Sequence, residues 1–100
     1  MVTRATSYIN ENLSSDLSLD ILSGKLFTSK TYLCRVFKEN TGITVGNYIT
    51  KKRFLKAAAL IKDGHTLSDA AQLAGFSDYS SFYKTCITET GSSPRKILKP

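Results

Sequence analysis

The sequence predicts an all-α fold of about seven helices, in which a unit of short helix, tight turn and second helix occurs twice around one long helix. Three observations carry this. Apolar residues recur at helical spacing along the whole chain. The only two prolines, Pro94 and Pro100, lie at its end and interrupt nothing. Glycines at 42, 64, 75 and 91 follow apolar stripes, where a left-handed residue ends a helix.

The elements follow in order. A first helix from Val2 to about Asn12 places Val2, Ala5, Ile9 and Leu13 on one face, and Ser14, Ser15 and Asp16 break it. Ser18 caps a second, short helix, because its hydroxyl can accept from an otherwise unpaired first-turn amide; Leu19, Leu22 and Leu26 form its inward stripe. Thr28 or Ser29 caps a third helix, with Leu33, Val36 and Phe37 inward and Gly42 as its stop. The longest helix starts at Thr44 and runs to about Asp63, burying Val45, Tyr48, Ile49, Phe54, Ala57, Leu60 and Ile61. Thr66 caps a helix with Leu67, Ala70, Ala71 and Ala74 inward, and Gly75 turns the chain into a helix from about Asp78 to Thr90. Ser93 and Pro94 open a last short helix, residues 93–98.

The pattern repeats. Ser18-Leu19 matches Thr66-Leu67 at an offset of 48. One extra residue in the second turn makes the offset 49, pairing Phe27 with Phe76, Leu33 with Phe82, Arg35 with Lys84, Gly42 with Gly91 and Thr44 with Ser93. The sequence thus predicts two helix-turn-helix subdomains, residues 18–42 and 66–91, joined by a linker helix, residues 44–63. Chance matches within any helical bundle are the plainer alternative.

At 100 residues and 11.0 kDa the chain suggests one domain, too short for two separate cores. Its formal charge of +6 draws it to polyanions, so nucleic acid is an early candidate partner. No apolar run reaches the roughly 20 residues needed to cross a bilayer, and the start of the chain lacks the apolar centre of a secretory signal, so a soluble cytoplasmic protein with no membrane partner is expected. Cys34 and Cys86 have no zinc-ligand spacing and His65 is the only histidine. No enzyme activity, metal or cofactor is expected. His65 reads as a solvated loop residue, and the cysteines as structural rather than redox-sensing.

With Leu33, Val36 and Phe37 inward, Lys30, Thr31, Cys34, Arg35 and Lys38 face outward on a helix that can enter a major groove. Arg35 is the leading base reader, since a guanidinium can grip guanine O6 and N7 together. Thr31 and Cys34 suit thymine methyls; Lys30 and Lys38 suit phosphates. In the second copy Phe82 and Cys86 face inward, leaving Tyr79, Ser80, Tyr83 and Lys84 outward for sugar, phosphate or thymine-methyl contacts. Ser29, Ser77 and Ser93 stand at helix starts, where free amides favour phosphate as well as capping. Lys51, Lys52, Arg95 and Lys96 are further phosphate candidates. The stretch from Lys25 to Lys56 holds eight basic residues and one acid, so the first copy, with Lys51, Lys52 and Lys56, is expected to supply most salt-dependent affinity.

The segment from Leu67 to Phe82, LSDAAQLAGFSDYSSF, followed by Gly91-Ser-Ser-Pro94, resembles the second helix-turn-helix of AraC/XylS-type bacterial transcription regulators. Tyr32 to Gly42, YLCRVFKENTG, is similar to that family's first reading helix, and Arg53, Phe54, Ala57, Leu60 and Ile61 to its linker. The chain departs from the pattern at Phe27, where a small turn residue is common, at Cys86, usually Phe, and at Ile97, usually Tyr. The resemblance implies a sequence-specific duplex DNA-binding domain, monomeric by itself, that places two recognition helices in successive major-groove segments of an asymmetric site. It also implies transcription regulation, more often activation, through RNA polymerase. The alternative from another class is a helical protein-interaction module whose basic face is incidental.

Overall fold

The computed structural model describes residues 1–97, so Leu98, the expected end of the last helix, lies outside the described residues. Seven helices occur among them: α1 (Val2–Glu11), α2 (Leu19–Lys25), α3 (Lys30–Thr41), α4 (Val45–Lys62), α5 (Leu67–Ala74), α6 (Tyr79–Thr90) and α7 (Pro94–Ile97). The chain divides into two compact units, Met1–Ile49 and Thr50–Pro100, so α4 begins in one and ends in the other.

In the first unit α1, α2, α3 and the start of α4 enclose Ala5, Ile9, Leu13, Leu17, Leu22, Leu26, Leu33, Phe37, Val45 and Ile49. Phe37 is fully buried, and the edge-on ring of Tyr48 meets it at 5.4 Å between centroids. Leu19, expected in the stripe of α2, is instead 37% exposed, and Leu17 is buried. The reason is the cap: Ser18 Oγ accepts from the Ile21 amide at 3.3 Å, which makes Leu17 the residue before the cap and Leu22 the fourth helical residue. Those two positions close over a helix start as a hydrophobic staple, and both belong to this buried cluster.

In the second unit Phe54, Ala57 and Ile61 of α4 join Ala70, Ala71 and Ala74 of α5 and Phe82 and Cys86 of α6. Phe54 stacks on Phe82 at 6.3 Å, and Phe76 meets Phe82 edge-on at 5.5 Å. Each fully buried phenyl contributes about 1.5–3 kcal/mol relative to exposure. The Cys86 thiol sits inside and donates to the Ser92 carbonyl at 3.4 Å, so it helps close the end of α6. Two separate buried clusters therefore exist where the chain length suggested one. One long helix lends its opening turns to one cluster and its remainder to the other, so a short chain can hold both.

The helix-turn-helix repeat is present, with its register shift one step later than the sequence match placed it. Phe27 has φ +54° and its amide donates to the Gly24 carbonyl at 3.3 Å; Gly75 has φ +106° and its amide donates to Gln72 at 3.1 Å. The next amides reach back five residues in both copies, Thr28 to Ser23 and Phe76 to Ala71. Phe27 is thus the equivalent of Gly75, not of Phe76, and its ring is 90% exposed. The extra residue of the second turn is Ser77, immediately before the cap Asp78.

Candidate nucleic-acid interface

α3 and α6 are both twelve residues long, capped at the start and ended by a left-handed glycine. At α3 the Tyr32 amide donates to Ser29 Oγ at 3.1 Å and Gly42 has φ +81°; at α6 the Ser81 amide donates to Asp78 Oδ1 at 2.7 Å and Gly91 has φ +79°. Leu33 and Phe37 of α3, and Phe82 and Cys86 of α6, are fully buried at matching positions. Burial of those pairs fixes the rotation of each helix and therefore which side chains face solvent.

On α3 that outward face holds Lys30, Thr31 and Arg35, all exposed, with Cys34 half-buried at its margin. The Arg35 guanidinium lies 5.4 Å from the centroid of the Tyr32 ring and 3.7 Å from the Glu39 carboxylate. Tyr32, 44% exposed, was not singled out by sequence reasoning; its spacing of three from Arg35 is the signal that could have found it. Lys30 is paired with Asp20 of α2 at 2.8 Å, and this bond holds its ammonium above the usual lysine range. Lys38 donates to the Gly42 carbonyl at 2.9 Å, closing the C-terminus of its own helix. Of the two cations expected on phosphates, one is engaged by an acid and the other by a backbone carbonyl. Both remain solvent-exposed, so either can exchange its partner for an anion at little cost.

On α6 the outward face holds Tyr79, Ser80, Tyr83 and Lys84, all exposed. The Tyr79 ring meets Phe82 edge-on at 5.8 Å and tilts toward Tyr83 at 6.5 Å, so part of it is packing surface. Asp78, not Ser77, caps α6, which corrects the expectation that Ser77 stands at a helix start; Ser77 is the exposed residue before the cap. Hydrogen bonds from Ser81, helped by Lys84, hold the Asp78 carboxyl below the usual carboxylate range. A carboxylate at this position repels phosphate, so Ser77 is a poorer anion contact than Ser29.

Ser93, half-buried, precedes α7, whose exposed Arg95 and Lys96 follow. The structure gathers Tyr79, Tyr83, Ser93 and Arg95, residues scattered in the sequence, around one cleft of about 740 Å³. The opening turn of α5, Thr66 to Ser68, forms its remaining wall and was not foreseen as part of a site. On α4 Lys51 is exposed and Lys52 half-buried. Both fall in the second compact unit, as does Lys56. Counted by unit, basic and acidic residues number five and four in the first, nine and four in the second. The eight basic residues between Lys25 and Lys56 are therefore divided equally, with Lys51, Lys52, Arg53 and Lys56 on α4 and the other four before it. Among the described residues no helix is long and apolar enough to cross a membrane.

A family model described as a helix-turn-helix domain matches residues 22–99. The probable transcriptional regulator LumQ of Photobacterium leiognathi is 35% identical over 91 residues, covering 90% of this chain and 37% of that protein. The C-terminal domain of the response regulator AraT from Geobacillus stearothermophilus is 31% identical with a TM-score of 0.89, over 95% of this chain and 80% of that one. A transcriptional regulator from Chromobacterium violaceum, described as an AraC-type DNA-binding domain-containing protein, is 25% identical with a TM-score of 0.85, over 95% and 86%. The chain spans about two fifths of the length of several curated relatives it matches, 36–40%.

Proposed function

This chain belongs to the AraC-type helix-turn-helix family, the DNA-binding domains of transcription regulators, and from that premise we propose that it reads an asymmetric duplex site in two successive major-groove segments, one through α3 and one through α6. A single observation carries this reading. The two helices agree in length, cap, buried positions and terminal glycine, yet differ at every matched outward position: Lys30 against Tyr79, Thr31 against Ser80, Cys34 against Tyr83, Arg35 against Lys84. Equal frames bearing unequal side chains suit two different half-sites.

In this reading Arg35 contacts guanine bidentately, and Thr31 and Cys34 meet thymine methyls or adjacent edges. Tyr79, Ser80, Tyr83 and Lys84 form the second contact set. Lys30, Lys38, Lys51, Lys52, Ser29, Ser93, Arg95 and Lys96 hold phosphates and set register without reading bases, with Ser77 a minor contributor. The domain acts as a monomer in the bacterial cytoplasm, without a cofactor and without catalysis, and activates transcription through RNA polymerase.

Selection from a random duplex pool at about 150 mM salt tests the proposal, because non-specific electrostatic binding is already weak there. The expected result is one asymmetric motif with two segments about 10 bp apart. One segment alone would mean that the second helix has become structural. Failure to enrich any motif would overturn the DNA-reading proposal and favour the protein-interaction module.

A further inference from the structure

We propose that the cleft between α5, α6 and the start of α7 binds a small aromatic carboxylate, and that this occupancy competes with DNA at α6. The second half rests on the DNA-reading proposal; the first does not. Three features of the cleft select the ligand class. Among the described residues Arg95 is the only charged side chain lining it and makes no ion pair, and it is exposed, so the site favours an anion. Tyr79, 37% exposed, Tyr83, 41% exposed, and Leu67 line the same cleft. Water leaves such surface gladly when a planar apolar body replaces it.

Size is the third feature. At about 740 Å³ the cleft is within the range of sites that take small organic molecules and is far larger than one phosphate requires. Ser68 and Ser93 line the same cleft as Arg95 and carry hydroxyl donors for a carboxylate. An aromatic acid thus meets each wall with matching chemistry: ring on ring, carboxylate on guanidinium and hydroxyl. Because Tyr79 and Tyr83 also form the outward face of α6, a molecule covering them removes two of the groups proposed to meet DNA.

The test is a two-dimensional amide NMR titration of the whole chain with 1-naphthoate, with the neutral 1-naphthalenemethanol as control. Saturable shifts are expected at Leu67, Ser68, Tyr79, Tyr83, Ser93 and Arg95. The expected Kd is on the order of 1 mM, a weak affinity for a ligand of this size in an open cleft. Arg95→Gln should weaken naphthoate about tenfold and leave the alcohol unaffected. Both Arg95 and Tyr83 are exposed, so Arg95→Gln and Tyr83→Ser should fold, and the unperturbed amides of the spectrum report that directly. No saturable shift up to about 10 mM, or equal binding of acid and alcohol, would overturn the site. In a duplex competition, naphthoate at its Kd should about double the apparent Kd for the selected DNA; binding with no such effect would overturn the competition. The titration contains no DNA, so failure of the DNA-reading proposal and failure of the cleft are read separately.

Discussion

Phe27 and Gly75 hold the same left-handed turn with very different side chains, and the difference has a measurable cost. A residue with a Cβ in this region loses about 1–2 kcal/mol relative to its favoured backbone, while glycine loses about 0.5–1 kcal/mol more chain entropy on folding. Phe27→Gly should therefore stabilise the chain by roughly 0.5 kcal/mol and raise Tm by a few degrees. Gly75→Ala should destabilise it by about 1 kcal/mol in urea unfolding. A lower Tm for Phe27→Gly would mean that the ring, although 90% exposed, makes contacts that outweigh the backbone strain. At the reading face, Arg35→Ala should remove about 1–3 kcal/mol of discrimination for guanine at one position of the selected site, with the other positions unaltered.

The helices are specified by their ends as much as by their stripes. Ser18, Ser29 and Thr66 each accept the amide three residues on, and Thr66→Ala should destabilise the chain by about 1 kcal/mol while Thr66→Ser does not. Asp78 does the same for α6 with a carboxylate, which introduces a pH dependence. Its folded-state pKa lies below the ordinary carboxylate value because Ser81 donates to the ionised form. The stabilisation is thus complete above the unfolded-state pKa of about 3.8 and is lost as pH falls through the lower, folded value. Asp78→Asn keeps an acceptor without the charge, so the decline of Tm with acidification should be shallower in that variant. Identical acid profiles for the two chains would refute this role for the carboxylate.

At the scale of the molecule, two buried clusters served by one shared helix suggest two centres of protection against hydrogen exchange. Leu22→Ala should speed exchange mainly in residues before Thr50, and Phe82→Ala mainly in those after it. Uniform acceleration by either would show one cooperative unit instead. For DNA, the double variant Arg35→Ala with Lys38→Ala should flatten the salt dependence of binding by up to about two units, and Lys84→Ala by less than half as much. Equal flattening would place the electrostatic weight on α6. The lysines of α4 should contribute to that slope independently of either reading helix.

The all-α class, the seven helices, most of their caps and the outward set of α3 were legible in the sequence because helical spacing, capping residues and terminal glycines act over three to five residues. The outward set of α6 followed from the same spacing once Phe82 was placed inside. Tertiary structure alone decided the rest, since it depends on which surfaces meet. It divided the apolar residues between two clusters and drew Tyr79, Tyr83, Ser93 and Arg95 around one cleft with the start of α5. The burial of Leu17 rather than Leu19 and the equivalence of Phe27 with Gly75 are local instead, set by a helix cap and by turn hydrogen bonds that no side-chain match reveals. Local periodicity fixes how a helix is rotated about its own axis; only packing against other helices fixes which distant residues become neighbours.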